Sequence, residues 1–298
     1  MAGTCALVGA VDFNAEDFQA RQAAGEFDFV IAVDAGFAHL EAIGAVPDMA
    51  VGDFDSLGYV PKCRRVSRHP VKKDKSDMEL AIEKALSWGH DELVVYGALG
   101  GRLDHTLANL QLFARFSERD AYVTAVADTY AVRLLTGPDV FELPPLSGGT
   151  VSVFSANDTA RGVIERGLAY SLDDEPLSNR TSRGLSNELI GEEATVAVEE
   201  GTLYVSIRSR TPPNLREPSK AKHFDRGFSL ASSDYPKTPL TATLRHTISS
   251  ETVGTRPAAD ERRSREDARR YNESDIVQNA VRTGRRTGMP GLDTRVPA

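Results

Sequence analysis

Short apolar runs alternate with amphipathic stretches over residues 5–130. Apolar runs bounded by Gly, Asp or Asn are typical of buried strands, whereas apolar positions spaced three and four apart indicate helices. The pattern predicts strands at 6–11, 29–33, 49–51, 93–96 and 122–127, and helices at 14–24, 37–43, 77–88 and 103–116. This alternation favours a Rossmann-like α/β fold, in which a parallel sheet carries helices on both faces.

The helix predicted at 77–88 has the clearest helical period. Its apolar positions lie on one face, at Met78, Ala81, Ile82, Ala85 and Leu86. Ser76 precedes the helix as a candidate N-cap, and Glu79 follows three residues later, which is the spacing of a capping box. We therefore expect the helix to begin at Asp77.

The pattern becomes β-rich after residue 131. Strands are predicted at 132–135, 150–154, 161–165, 194–198 and 203–207, separated by Gly, Pro, Asn and Asp. The pair Glu200-Gly201 between the last two runs predicts a hairpin turn. The sequence thus predicts an α/β domain at residues 1–130 and a small all-β sandwich domain at residues 131–210.

Residues 211–298 show neither the helical nor the strand spacing of apolar residues, and they are rich in Pro, Ser, Thr and Arg. A segment this polar buries too little apolar surface to offset the entropy lost on ordering. We predict a disordered C-terminal tail.

Charge is distributed unevenly along the chain. The net charge is −8, but residues 211–298 carry 16 Lys and Arg against 11 Asp and Glu, so residues 1–210 are strongly acidic. An acidic body argues against a nucleic-acid-binding surface and suits a protein that handles cations.

Two cysteines, Cys5 and Cys63, provide no disulfide framework. The apolar run at the N-terminus lacks a basic region before it, and no run reaches the roughly 18 residues that a membrane helix needs. We expect a cytoplasmic protein with no signal peptide and no membrane association.

The first chemistry-bearing cluster is Gly52-Asp53-Phe54-Asp55-Ser56, directly after an apolar run. In extended backbone, residues two apart share a face, so Asp53 and Asp55 are expected to point the same way at a strand end. Hard divalent cations such as Mg²⁺ prefer carboxylate oxygens. The alternative is an ordinary surface turn, since Gly and Asp are common turn residues.

The second cluster is Lys73-Asp74-Lys75-Ser76-Asp77, at the start of a predicted helix. Asp77 is expected to complete a carboxylate cage for Mg²⁺, with Lys73 or Lys75 neutralising nearby phosphate oxygens. Helix capping alone also explains Asp77, because the helix dipole favours an acid in the first turn.

The third cluster is Gly97-Ala98-Leu99-Gly100-Gly101-Arg102-Leu103-Asp104-His105, between a predicted strand and helix. Glycines allow backbone to approach a ligand closely, the helix start offers free N–H groups to an anion, and Arg102 adds a planar fork for phosphate. The cluster lacks the Gly-Lys-Ser/Thr of a Walker A loop. The alternative is a glycine-rich turn that binds no ligand.

All three clusters follow predicted strands, and ligands of open α/β sheets bind beyond the carboxyl ends of the strands. Carboxylates for Mg²⁺, free amides and an arginine in one crevice indicate phosphoryl or diphosphoryl transfer, in which positioning and charge neutralisation dominate catalysis.

These motifs resemble those of bacterial thiamine pyrophosphokinases. The matching elements, in chain order, are Asp34-Ala35-Gly36, Pro47-Asp48, Gly52–Ser56, Lys73–Asp77, Gly100–His105, Gly167–Leu172 and Gly184–Glu188. Ser76 stands where Thr is commoner in the family. The resemblance covers about residues 5–208 and leaves the C-terminal tail out.

The resemblance implies transfer of the β,γ-diphosphate of ATP to the hydroxyethyl oxygen of thiamine, with release of AMP. Asp53, Asp55 and Asp77 would hold Mg²⁺ and the triphosphate, while Arg102 and Asp104 would orient the phosphates and the attacking hydroxyl. The other residues implied in nucleotide binding are Asp34, Gly36, Lys73, Asp74, Ser76, Gly100, Gly101 and His105.

Family members are homodimers, with the thiamine pocket between the α/β domain of one subunit and the β domain of the other. The resemblance therefore places Ser186 and Asn187 near thiamine; their local sequence alone predicts only a β-turn.

Two other functions remain open at this point. One is a related enzyme that pyrophosphorylates a pterin alcohol with the same aspartates and Mg²⁺; the β domain with Ser186-Asn187 argues against it. The other is a non-catalytic sensor of nucleotide or thiamine diphosphate, which intact carboxylates and Arg102 disfavour.

Overall fold

The structure is a computed structural model and describes residues 3–70 and 73–209. The predicted disordered tail, residues 211–298, lies outside the described residues.

The first half of the described chain alternates strands and helices. Its strands are β1 Thr4–Val8, β2 Phe29–Val33, β3 Met49–Gly52, β4 Val66–Arg68, β5 Glu92–Tyr96 and β6 Tyr122–Val126. Its helices are α1 Ala15–Ala23, α2 Gly36–Ala42, α3 Asp77–Ser87 and α4 Leu103–Ser117. The predicted elements are confirmed within a few residues at each end. The sequence pattern missed β4, a three-residue strand that is largely exposed and so has no apolar run.

Helix α3 forms as its period predicted. Met78, Ala81, Ile82 and Ala85 are buried, and the Ser76 hydroxyl accepts a hydrogen bond from the Glu79 amide at 3.2 Å. The Glu79 carboxylate accepts from Arg115 at 2.8 Å, which ties α3 to α4. None of the described helices is both long and apolar enough to cross a membrane.

Strands β1 to β6 form the parallel part of a sheet, in the order β6-β5-β1-β2-β3-β4. Successive residues of β1 face opposite sides: Leu7 shares a core with Ile82 of α3, whereas Val8 shares another with Phe18 of α1. Helices α3 and α4 therefore cover one face, and α1 and α2 cover the other. The predicted fold class is confirmed.

The second half of the described chain is all β between residues 131 and 209. Its strands are β7 Ala131–Thr136, β8 Asp139–Leu143, β9 Ser147–Ser155, β10 Thr159–Arg166, β11 Leu172–Ser178, β12 Asn187–Ile190, β13 Ala194–Val198 and β14 Thr202–Ser209.

These strands build a sandwich that shares a sheet with the α/β part. Strand β7 pairs antiparallel with β6, and β14, β9 and β12 continue the same sheet to ten strands. A second sheet, in the order β11-β10-β13-β8, packs on this extension. Val151 and Val205 from the first sheet share a core with Val163 and Val196 from the second. The predicted boundary at 130/131 falls between two paired strands, and the division into domains stays a prediction.

The predicted hairpin at Glu200-Gly201 is wrong. Strand β13 belongs to the four-stranded sheet and β14 to the ten-stranded sheet, so the turn crosses from one layer to the other. Val198 and Leu203 both point into the sandwich core, from opposite sheets. Local turn chemistry is the same for a hairpin and a crossover, and the shared core decides between them.

Candidate active site

The predicted site residues of the α/β part lie where parallel strands end. Asp34 follows β2, Asp53 follows β3 and the glycine-rich loop follows β5. Strands β2, β3 and β4 lie on one side of β1, and β5 and β6 lie on its other side, so the order of the strands reverses at β1. Such a switch point opens a crevice at the carboxyl ends of the strands.

Three carboxylates converge on this edge. Asp34, Asp53 and Asp55 each offer an oxygen, and these three oxygens lie within 4.8 Å of one another. The expected extended backbone between Asp53 and Asp55 is wrong: Phe54 has φ of 63°, and the Asp53 Oδ1 accepts from the Asp55 amide at 3.1 Å. The backbone turns at this point, and the turn itself brings the two side chains together.

Asp34 is a candidate metal ligand that sequence reasoning placed with the nucleotide instead. Its amide donates to the Val51 carbonyl at 2.8 Å, and its Oδ1 accepts from the Phe54 amide at 3.1 Å. These bonds lock the turn after β2 to the turn after β3. The available signal was an aspartate at the end of each of two consecutive strands, since such strands often pair.

Asp77 reaches this group through a lysine. The Lys73 ammonium lies 3.3 Å from Asp53 Oδ2 and 3.0 Å from Asp77 Oδ1. Within the same segment Asp74 is exposed, and Ser76 serves as the helix N-cap. The structure thus brings Asp34, Asp53 and Asp55 together directly. Asp77 is linked to Asp53 through the Lys73 ammonium.

The electrostatics reflect crowded negative charge. Burial raises the pKa of Asp34, and the charges of Asp77 and Asp53 raise it further. The pKa of Asp53 is lowered, first by the hydrogen bond from the Asp55 amide and then by Lys73. Burial alone would lower the pKa of Lys73, but its bonds to Asp77 and Asp53 outweigh burial and raise it. The cluster therefore favours a bound cation.

The glycine-rich loop turns tightly beside the crevice. Gly100 and Gly101 have φ of 94° and 61°, and a Cβ on Gly100 would lie 2.5 Å from the Asp12 carboxylate. The Thr106 hydroxyl accepts from the Gly100 amide and donates to its carbonyl, both at 3.1 Å. Glycine is required here, and α4 begins immediately beyond the turn.

Arg102 and Asp104 form an exposed bidentate pair. The Arg102 Nε donates to Asp104 Oδ1 at 3.1 Å and its NH2 group donates to Oδ2 at 2.5 Å. These bonds hold the pKa of Asp104 below its usual value. The His105 side chain is exposed beside them, and its amide donates to Asp104 Oδ1. Asp104 therefore occupies one edge of the guanidinium, formed by Nε and the NH2 group.

Ser186 and Asn187 lie at the start of β12, away from the carboxylates in sequence. Ser186 has φ of 58°, and its amide donates to the Ser152 hydroxyl at 2.9 Å. Asn187 is buried, and its side chain bonds both backbone groups of Tyr170, at 2.9 and 2.7 Å. Asn187 therefore clamps the Tyr170 loop to the edge of the ten-stranded sheet.

Glu165 completes this clamp, and sequence reasoning missed it. Its Oε2 accepts from the Asn187 side chain at 2.8 Å, while its Oε1 has no hydrogen-bond partner among the described residues. Only 1% of Glu165 is exposed, and burial raises its pKa. No motif marks this residue; an acid amid the apolar run of β10 was the available signal.

We expect Glu165→Gln to stabilise the protein at neutral pH. A carboxyl whose pKa is raised by folding contributes its full stability below the unfolded value of about 4.3, and this contribution is lost as the pH rises through the folded value. Glutamine carries no charge to desolvate and still accepts from Asn187.

Urea unfolding should therefore show equal free energies of unfolding at about pH 4 and a growing advantage for Glu165→Gln towards about pH 8. The exposed Glu192→Gln is the control, with no such trend. A constant difference across this range would show that Glu165 is not desolvated in the folded protein.

A cavity of about 440 Å³ lies at the same edge of the sheet, beyond β6. It is lined by the start of α1, the connection from β6 to β7, and the facing ends of β9 and β14. Asn14, Tyr130 and Arg208 are among its walls. None of the predicted site residues lines it.

Comparison with known proteins gives the family. The model of the thiamin pyrophosphokinase catalytic domain matches residues 20–125, and the model of the thiamin pyrophosphokinase vitamin B1 binding domain matches residues 141–203. This chain belongs to the thiamin pyrophosphokinase family. The two matched segments lie in the α/β part and the sandwich, respectively.

Individual proteins that resemble this chain are thiamine pyrophosphokinases as well. The chain is 26% identical over 187 residues to the thiamine pyrophosphokinase of Bacillus subtilis (strain 168), covering 60% of this chain and 86% of that protein. It is 24% identical over 182 residues to thiamine pyrophosphokinase 2 of Oryza sativa subsp. japonica, covering 56% and 67%. The crystal structure of thiamin pyrophosphokinase from Geobacillus thermodenitrificans matches with a TM-score of 0.58 at 25% identity, over 70% of this chain and 99% of that one.

Membership of the family makes the chain an enzyme, a diphosphotransferase. Neither the pterin-alcohol pyrophosphokinase nor the non-catalytic sensor finds support among the matched proteins.

Proposed function

We propose that this chain transfers the β,γ-diphosphate of ATP to the hydroxyethyl oxygen of thiamine and releases AMP and thiamine diphosphate. The observation that carries the proposal is the convergence of Asp34, Asp53 and Asp55 on the sheet edge that also holds the glycine-rich loop. Diphosphoryl transfer needs a cation site and an anion site side by side, because developing charge on the phosphates must be neutralised in place.

The residues present fit Mg²⁺. Three carboxylate oxygens within 4.8 Å are hard ligands, and their mutual repulsion is only partly relieved by Lys73. In this proposal Asp53, Asp55 and Asp77 hold Mg²⁺ and the triphosphate, and Asp34 joins them from β2. The bound ion supplies neutralisation of charge on the transferred diphosphate.

The nucleotide phosphates are proposed to lie along the start of α4. The proposed donors to these phosphates are the guanidinium of Arg102, the ammonium of Lys73 and the backbone amides of Gly100 and Gly101. The Gly100 amide now donates to the Thr106 hydroxyl and would exchange that partner for a phosphate oxygen. Other proposed nucleotide contacts, from the resemblance, are Gly36, Asp74, Ser76 and His105.

The reaction forms a bond from the thiamine hydroxyl oxygen to the β-phosphorus. The bond from that phosphorus to the α-phosphate oxygen breaks, and its electron pair leaves with AMP. Asp104 is proposed to orient the hydroxyl by accepting its hydrogen bond, and the hydroxyl proton passes to solvent water as the new bond to phosphorus forms.

Thiamine is proposed to bind near Ser186 and Asn187 in a homodimer, with the α/β part of one subunit facing the sandwich of the other. Exposed apolar side chains on both parts support an interface: Leu103 on α4 is 71% exposed and Tyr170 beside Asn187 is 73% exposed. Since the Asn187 side chain already bonds Tyr170 and Glu165, its part in binding is to hold this surface in shape.

The test is AMP release from ATP and Mg²⁺ by the full chain, with thiamine, with a pterin alcohol and with neither. Release only with thiamine supports the proposal. Release with the pterin alcohol, or no dependence on either, contradicts it. The cytoplasmic location stays a prediction that fractionation of the source cells would test.

We expect Arg102→Lys to lower kcat/KM for ATP by roughly ten- to a hundred-fold although the charge is kept. The guanidinium fork bonds two oxygens at once in its present contact with Asp104, and an ammonium cannot reproduce that geometry. Steady-state AMP release measures the effect. Arg119→Lys, at an exposed position after α4, is the control and should change kcat/KM less than two-fold. An equally small change in Arg102→Lys would mean that Arg102 does not contact the nucleotide.

A further inference from the structure

The Lys73 ammonium lies between two of the proposed metal-site carboxylates. It is 3.3 Å from Asp53 Oδ2 and 3.0 Å from Asp77 Oδ1, and it also donates to the Pro70 carbonyl at 3.1 Å. The side chains are largely shielded from water, with 14% of Lys73, 11% of Asp53 and 20% of Asp77 exposed. This ion triplet is far more enclosed than the exposed pairs elsewhere on the protein.

The position of the ammonium matters because four carboxylates meet here. Asp34, Asp53 and Asp55 converge directly, and Asp77 is close enough for its charge to raise the pKa of Asp34. Without a cation these groups repel one another. Lys73 supplies one positive charge, which leaves most of the negative charge unbalanced.

A divalent cation held by Asp53 and Asp77 would use the same oxygens that Lys73 now uses. Two cations within a few ångströms repel strongly in a shielded site. Lys73 and the ion therefore compete for the same place. The unbranched lysine side chain is flexible, so its ammonium can move to another position. As a point charge, the ammonium can then pair with a partner of different geometry.

We propose that Lys73 is a placeholder cation, which holds Asp53 and Asp77 together in the free enzyme and gives way when Mg²⁺ binds. This inference rests on the proposed metal site. Once displaced, the ammonium is free to contact the triphosphate that arrives with the ion. Lys73 thus exchanges a carboxylate partner for a phosphate partner when the ion and the nucleotide bind.

A purely structural salt bridge makes a different prediction. If Lys73 only ties the segment before α3 to β3, its removal should loosen the carboxylates and weaken Mg²⁺ binding. If Lys73 is a placeholder, its removal should strengthen Mg²⁺ binding in the absence of nucleotide. The sign of the change separates the two roles.

The experiment measures Mg²⁺ binding to the full chain by calorimetry, without nucleotide, for wild type, Lys73→Met and Lys75→Met. We expect Lys73→Met to lower the Kd for Mg²⁺ by roughly ten-fold or more, the order expected when one unit charge a few ångströms from the ion is removed. Lys75→Met is the matched control: it removes the same charge two residues away, where Lys75 pairs with Glu83 at 2.6 Å and contacts neither Asp53 nor Asp77. Its Kd should stay within about two-fold of wild type.

A second measurement, of the melting temperature, tests whether the Lys73→Met protein is folded. In EDTA the Lys73→Met protein should melt below wild type, because the carboxylates have lost their counter-charge, and saturating Mg²⁺ should raise its Tm more than that of wild type. An unchanged or weaker Kd in Lys73→Met, or undetectable Mg²⁺ binding by that variant, overturns the proposal. Failure of the diphosphotransferase proposal appears separately, as absence of thiamine-dependent AMP release by wild type.

Discussion

Asp53→Asn and Asp55→Asn should each lower the rate of AMP release by at least roughly a hundred-fold, the scale on which single electrostatic groups contribute to transition-state stabilisation. Each change removes one charge from the group of three converging carboxylates. The fold should survive, because Asp53 Oδ1 accepts from the Asp55 amide and an asparagine oxygen can do the same. Asp55 is exposed, so its replacement opens no cavity.

The measurement is thiamine-dependent AMP release at increasing Mg²⁺, beside Tm. Asp120→Asn is the control: Asp120 is exposed after α4 and has φ of 67°, a conformation that asparagine tolerates. The control should keep full activity. Near wild-type rates for Asp53→Asn or Asp55→Asn at millimolar Mg²⁺ would remove that residue from the metal site.

Gly36→Ala should cost roughly 4 kcal/mol or more of folding free energy, a loss typical of severe overpacking. A Cβ on Gly36 would lie 1.9 Å from the Val8 carbonyl oxygen and 2.6 Å from its carbon. Both atoms are backbone, so either α2 or β1 must move. The turn that carries Asp34 would move with α2, and activity should be lost together with stability.

The matched control is Gly44→Ala, at the other end of α2. Gly44 has φ of 70°, but a Cβ there would meet nothing within 4 Å. Only the backbone conformation is penalised, by about 1–2 kcal/mol. Urea unfolding should rank Gly36→Ala well below Gly44→Ala, and equal losses would show that α2 does not press on β1 as the structure describes.

The periodic part of the fold was predictable because its information is local. Met78, Ala81, Ile82 and Ala85 line one face of α3 whatever lies opposite, and Ser76 caps the helix through an amide three residues away. Likewise, residues that follow parallel strands must share one edge of the sheet. The sequence therefore determined the α/β class, most element positions and the edge at which Asp53 and the glycine-rich loop lie.

The contacts between distant residues depend on which strands pair, and only the tertiary structure decided that pairing. Asp34 joins Asp53 because β2 and β3 are neighbours, and the turn at Phe54 forms around the hydrogen bond that the Phe54 amide donates to Asp34, 20 positions away. The Glu165–Asn187 clamp links residues 22 apart, on different sheets. Contacts between distant residues leave no periodic trace in the sequence, because each partner's identity depends on a register set by the whole core.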